Sequence, residues 1–278
     1  MTNTRSVAAK QFESDRAFSG DREFKVGVWL VPQHTAVPRM RSAWRQMDEL
    51  GVDSIWLWDH FFPLTGDPDG AHFEGWSLLA AMAAETSASQ IGLLVSNIEY
   101  RNPDLLADMA RTVDHLSGGR TVLGLGAGWV ERDYEEYGYE FRPGRDRAAA
   151  LAAALPRIKR RLAALNPPPV GNLPLLIAGD GRKVMLRLAA QHGAMWNTMA
   201  WNFAESNQVL NDWCAKVGRD PDEIERTCFI VELTGQQQID ELVAAGAQHI
   251  IIQLHDPFDP GPVRELLGYA SRQSAGVR

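Results

Sequence analysis

The feature that most limits the fold of this chain is a regular alternation. Short apolar runs alternate with longer amphipathic stretches from Phe24 almost to the end. The runs are FKVGVWL (24–30), SIWLWD (54–59), QIGLLVSN (90–97), TVLGLG (121–126), LPLLIAG (173–179), AMWNTMA (194–200), CFIVEL (228–233) and HIIIQLH (249–255). Most are continuously apolar, as expected of parallel strands covered on both faces. Between them, apolar residues recur at helical spacing. Met40, Trp44, Met47 and Leu50 form one stripe and end at Gly51, a helix stop. Trp76, Leu79, Ala80 and Ala83 form a second, which leaves Ala81, Met82 and Ala84 partly off the packed face. Leu106, Met109, Val113 and Leu116 form the buried stripe of a third, capped by Asn102 with Pro103 in its first position. Further helices are expected over 145–165, 183–192, 204–217, 239–245 and VRELLGYASR. Strands and helices in this order predict an α/β fold, a single (β/α)8 TIM-type barrel over residues 24–278. A doubly wound open sheet is the alternative. Residues 1–23 are polar and aperiodic and read as a tail.

Charge and composition exclude several classes. The formal net charge is −7, which disfavours nucleic acid as the main partner. No apolar run reaches the roughly 20 residues of a membrane span. The N-terminus lacks the apolar core of a secretory signal, and the two cysteines suit a reducing compartment, so a cytoplasmic protein is expected. Cys214 and Cys228 lack metal-ligand spacing, and no His-Glu-x-x-His or Gly-x-Ser-x-Gly occurs. No metal site is expected.

Barrel sites gather at the carboxyl ends of the strands. There this chain offers Gln33 and His34, then Asp59, His60 and Phe62, then Ser96 and Asn97, then Gly128 and Trp129. The set is aromatic, amide and small, which suits a planar ligand. Gly124, Gly126 and Gly128 share one face of a strand and mark a close approach, by a ligand or by a neighbouring backbone. AGDGRK (178–183) reads either as an anion-binding turn or as a plain helix cap by Asp180.

Five segments taken together resemble one family. They are WLWDHFFP (56–63), HFEGWSLLAAMAAETS (72–87), IGLLVSNIEYRNP (91–103), LSGGRTVLGLGAGWVERDYEEYGYEF (116–141) and LPLLIAGDGRKVMLRLAAQHGAMWN (173–197). In this order they resemble the bacterial luciferase-like superfamily of flavin and deazaflavin enzymes, in its coenzyme F420-dependent branch. The resemblance implies a barrel that holds the ring at its carboxyl end. It implies that Asp59 and His60 approach the ring. It implies a non-proline cis peptide at Leu94–Val95 or one bond later, so that Leu94, Val95, Ser96 and Asn97 face the cofactor with Gly126 and Gly128. It implies that Ala178, Gly179, Asp180, Gly181 and Arg182 hold the phosphate, and that the protein is a homodimer through the helices near 75–86 and 103–116.

The chain also departs from that family. Its sugar-phosphate dehydrogenases carry a glutamate where this chain has Trp129, and an aromatic where it has Leu64. Trp129, Phe62 and Leu64 are therefore expected to line an apolar substrate pocket; the alternative for Trp129 is that it turns outward and covers the loop 130–140. The segment 130–172 is short, which implies an open pocket or one roofed by another element. The expected activity is hydride transfer between F420 and a small or medium uncharged organic substrate, with His60 as the catalytic group. The alternatives are an FMN-dependent monooxygenase or reductase, and a barrel that binds flavin or deazaflavin without turnover.

Overall fold

The structure is a computed structural model that describes Arg22 and residues 24–273. Apart from Arg22, the expected polar tail lies outside the described residues. Among the described residues nine strand segments form one parallel sheet: β1 (Lys25–Leu30), β2 (Ser54–Leu57), β3 (Gln90–Leu93), β4 (Ser96–Asn97), β5 (Thr121–Gly126), β6 (Leu175–Ala178), β7 (Met195–Met199), β8 (Glu225–Ile230) and β9 (His249–Leu254). β1 pairs with both β2 and β9, and β5 pairs with both β3 and β4. The sheet is therefore closed, and β3 and β4 share one of eight barrel positions. Closure rules out the open-sheet alternative. The peptide between β3 and β4, Leu94–Val95, is cis.

Helices cover the outside: α1 (Val37–Leu50), α2 (Gly75–Glu85), α3 (Pro103–Ser117), α4 (Glu131–Glu136), α5 (Gly144–Ala164), α6 (Met185–His192), α7 (Ala200–Val217), α8 (Gln236–Ala244) and α9 (Gly261–Gln273). Gly51 ends α1 in the left-handed region (φ 77°), and Asn102 caps α3 by accepting the Asp104 N–H. Two apolar layers result. One lies between strands and helices, and a smaller one inside the barrel comprises Trp56, Leu94, Val122, Leu176, Met195 and Ile251. Among the described residues no helix is long and apolar enough to cross a membrane.

Two expected stripes are corrected. Met82 faces inward, while Ala80 sits at the edge of the packed face. On α3 the inward face is Leu106, Ala107, Ala110 and Val113, and Leu116 is 50% exposed. Small alanines let α3 lie close to the barrel and rotate its larger apolar residues outward.

Charged side chains sit at the amino-terminal end of the barrel. His249 is fully buried, its Nδ1 donates to Glu225 Oε1 (2.8 Å), and its Nε2 lies 2.8 Å from Ser54 Oγ. Lys25 Nζ donates to Glu225 Oε2 (2.6 Å). Burial alone would push the Glu225 carboxyl up, but its hydrogen bond with His249 and the Lys25 ammonium hold it at about 2, against an ordinary 4.5. A folded value below the unfolded one means stability that is present above the unfolded value and lost as pH falls. The window runs from about 4.5 down to about 2, and the loss is up to about 3 kcal/mol. In urea melts between about pH 5 and about pH 2.5, wild type should lose distinctly more stability than Glu225→Gln. Equal losses would show that Glu225 does not carry the acid limb.

Candidate active site at the carboxyl end of the barrel

His60 follows β2 and is held from one side. Its Nδ1 lies 2.6 Å from Oδ2 of Asp133, a residue of α4 with no exposure. The other Asp133 oxygen accepts the Phe61 backbone N–H (3.0 Å), and Oδ2 also accepts the Tyr100 hydroxyl (3.0 Å). Burial raises the Tyr100 hydroxyl far above its ordinary value, so it remains a donor. The His60 ring packs edge-on to Trp58 (5.3 Å) and to Trp129 (5.8 Å). Trp58 in turn stacks on His72 and donates to its Nε2 (2.8 Å). Burial, helped by the neighbouring His60, pulls His72 down to about 4. The ring is therefore neutral near neutral pH, and the Trp58 N–H, which can only donate, makes Nε2 its unprotonated nitrogen.

Asp59 is enclosed by protein partners. It is 3% exposed, and Arg101 grips both of its oxygens (2.6 and 2.7 Å) while the Asn97 N–H donates to Oδ2 (3.0 Å). These contacts make Asp59 a clamp that ties β2 to the end of β4. Of the expected third-strand residues, Leu94, Ser96 and Asn97 are buried, and only Val95 keeps partial exposure. The Asn97 amide is spent on the Tyr134 hydroxyl (2.8 Å). Ser96 Oγ and, near the end of β1, Trp29 Nε1 are buried without a hydrogen-bond partner among the described residues.

The glycines at the end of β5 are closely packed. A Cβ on Gly124 would lie 2.2 Å from the Leu93 carbonyl oxygen, and one on Gly126 would lie 2.6 Å from a Val95 methyl. One on Gly128 (φ 70°) would meet Asn97 and Tyr134. Gly126 and Gly128 thus make room for the interrupted third strand and its neighbours, so on this face a neighbouring chain segment makes the close approach.

The AGDGRK turn is open. Gly179 has φ 123°, its N–H donates to Asn197 O (2.9 Å), and Asp180, Gly181, Arg182 and Lys183 are exposed. Asp180 accepts from Asn202, and α6 starts only at Met185 with no side-chain cap. The plain-cap alternative is therefore not what folds here. Arg182 pairs with Glu205 of α7.

The loop after β2 is tied to the segments that follow β1 and β5. Gln33 donates to Thr65 Oγ1 (2.6 Å) and accepts the Leu64 N–H (2.8 Å). Arg132 donates to Pro68 O (2.7 Å), pairs with Asp69 (2.5 Å) and lies 4.0 Å over the Phe62 ring. Phe62 and Leu64 are half-buried parts of this loop. Trp129 stands on the rim, 66% exposed, beside His60 and not enclosed in a pocket. Among the described residues no three His, Cys, Asp or Glu side chains converge as metal ligands. An apolar groove of about 360 Å³ lies elsewhere, between α2 and α3, lined by Trp76, Ala80, Leu105, Met109, Val113 and Leu116.

The luciferase-like monooxygenase model matches residues 23–270, and the chain belongs to that family. It is 34% identical over 115 residues to an F420-dependent glucose-6-phosphate dehydrogenase of Amycolatopsis mediterranei (strain U-32), covering 40% of this chain and 34% of that protein. It is 22% identical over 275 residues to a 5,10-methylenetetrahydromethanopterin reductase of Methanolobus tindarius, covering 90% and 80%. The chain thus spans about a third of the first relative's length and most of the second's. An F420-dependent secondary alcohol dehydrogenase, solved in complex with an F420-acetone adduct, superposes with a TM-score of 0.78 at 15% identity, over 89% of this chain and 99% of that one. At that identity the likeness concerns the fold.

Proposed function

We propose that this protein is an F420-dependent oxidoreductase acting on a small or medium uncharged organic substrate. The observation that carries the reading is His60, fixed by Asp133 at the barrel mouth with an exposed tryptophan beside it. The residues fit a ring-and-phosphate cofactor. Half-buried Val95 and Ala178 offer a floor for a ring, and the Gly179–Arg182 turn presents backbone where a Cβ on Gly179 would find open space to 3.5 Å. When bound, the deazaflavin supplies the ring carbon that exchanges hydride with substrate. His60 Nε2 exchanges the accompanying proton. Trp129 gives the substrate an apolar face and one N–H, where a sugar-phosphate enzyme would have an acid. We place the protein in the cytoplasm, with a small molecule and a second copy of itself as partners.

FMN is the second reading. The acidic tail of F420 needs basic groups near the mouth, and Arg132 and Arg182 already carry acid partners, Asp69 and Glu205. Titration of the purified protein with F420 and FMN separately, followed by cofactor fluorescence, decides between them. F420 should bind the more tightly. Saturable binding of FMN with none of F420 would move the assignment. Binding without oxidation of reduced cofactor, across a panel of acceptors, would overturn the enzyme reading. Robust turnover of glucose 6-phosphate would overturn the substrate reading.

The homodimer would form through α2 and α3. Leu105 (54% exposed) and Leu116 (50%) border the groove there. Leu105→Glu with Leu116→Glu should convert a dimer to a monomer in sedimentation at micromolar concentration. Monomeric wild type would refute the assembly.

A further inference from the structure

Asp133 contacts three groups at once, and their chemistry fixes which proton each one holds. The Phe61 backbone N–H can only donate, so Asp133 Oδ1 is committed as an acceptor. The Tyr100 hydroxyl donates to Oδ2. An ionised carboxylate accepts only, so the His60 Nδ1, 2.6 Å from Oδ2, must carry a hydrogen. A neutral His60 then has its lone pair on Nε2, the ring nitrogen turned away from Asp133. Asp133 is wholly buried and its two oxygens are both occupied.

We propose that Asp133 is a positioning residue, which holds His60 as the Nδ1–H tautomer so that Nε2 is available as a base at the barrel mouth. The proposal rests on the oxidoreductase reading for its chemistry, but not for its geometry. In the oxidation direction, Nε2 would take the proton from a substrate hydroxyl as the adjacent C–H bond breaks, and a bound deazaflavin would supply the acceptor for the hydride. Imidazole becomes imidazolium, and Asp133 stabilises that charge across Nδ1–H. In the reverse direction the same proton returns to the substrate oxygen.

The backbone donor makes the test selective. In Asp133→Asn the amide oxygen must stay on the Phe61 N–H, which turns the amide nitrogen to His60. That nitrogen is a donor, so Nδ1 must become the acceptor and the hydrogen moves to Nε2. The variant keeps the size and the contacts of the site but inverts the tautomer.

The measurement is ¹⁵N–¹H correlation on histidine-labelled protein at a pH where His60 is neutral, with the His60 signal assigned by its loss in His60→Gln. Wild type should show Nδ1 protonated and Nε2 bare, and Asp133→Asn the opposite. Tyr100→Phe, which leaves the carboxylate in place, should keep the wild-type pattern and serves if Asp133→Asn does not fold. Oxidation of 2-propanol by F420-loaded protein should fall at least about 100-fold in Asp133→Asn, with cofactor affinity changed less than about threefold. A wild-type His60 with its hydrogen on Nε2, a tautomer unchanged in Asp133→Asn, or one inverted by Tyr100→Phe would each overturn the proposal. An inverted tautomer in a protein that binds neither F420 nor FMN would leave the dyad standing and refute the functional reading instead.

Discussion

Gly124→Ala should leave little folded protein. The added methyl would lie 2.2 Å from the carbonyl oxygen of Leu93 and 3.1 Å from a Val95 methyl. The first contact is with backbone, and backbone here cannot retreat. Leu93 is paired to Leu57 in β2, and Gly124 is paired to Leu176 in β6. Moving either strand would open a closed barrel. Overpacking a core ordinarily costs about 1–3 kcal/mol, and a clash between two anchored strands belongs at or beyond the upper end. That is a large share of the about 5–15 kcal/mol that holds a domain together. Soluble yield and the urea midpoint report the effect. Gly144→Ala is the control, because the nearest atom to its Cβ is the Arg147 guanidinium at 3.7 Å. A Gly124→Ala midpoint close to that of wild type would mean that the third strand is not wedged against β5.

The same glycines show how far a sequence speaks. Their spacing reveals a bare face and a close approach, but either a ligand or a backbone can do the approaching. Only the path of residues 93–97 decides, and that path depends on pairing with β2 and β5. The barrel itself is legible because parallel strands are apolar throughout, and TVLGLG matches β5 residue for residue. β8 begins three residues before the apolar run that predicts it. Glu225, Arg226 and Thr227 look like loop, yet Arg226 is buried against Asn207 and Asn211, and Glu225 binds His249. Polar strand residues with buried partners leave no mark on an apolar pattern. Helical periodicity fails differently on α3, where outward Leu105 and Leu116 are as apolar as the inward face. Asp133 was hidden most thoroughly. It lies 73 residues from His60, in a charged segment that resembles a solvated surface, on a helix of six residues. Six residues are too few for a helical period to register. The lone signal is the run of aromatics around it, Tyr134, Tyr137 and Tyr139, which pack with Tyr100 and Phe61 over the dyad.

Arg101→Met should be the other severe substitution, and its cost should depend on pH. The guanidinium holds both oxygens of Asp59 and reaches Glu74 Oε1 at 3.0 Å, and Glu74 caps α2 through the N–H groups of Trp76 and Ser77. Methionine fills much of the space but pairs with nothing. Asp59 would be left buried with one donor, the Asn97 N–H. Removing one partner of a buried ion pair costs about 3–5 kcal/mol, because the other charge is stranded. Burial already pushes the Asp59 carboxyl up to about 6 with Arg101 opposing it. Without that opposition it moves higher, so the folded variant takes up a proton that the unfolded chain releases. A folded value above the unfolded one means that stability is fully present below about 3.8, the unfolded value, and falls as pH rises toward the folded one. Wild type should therefore lose some stability between about pH 4 and about pH 6, and Arg101→Met should go on losing it above that. Urea melts at about pH 5 and about pH 8 separate the two. Adding Asp59→Asn should recover part of the loss at the higher pH, since an uncharged amide has no ionisation to suppress. Cofactor binding should weaken in parallel, because Asp59 anchors the backbone of Asn97 just beyond Val95. A variant with the wild-type pH dependence would show that Asp59 is not held as a charge by Arg101.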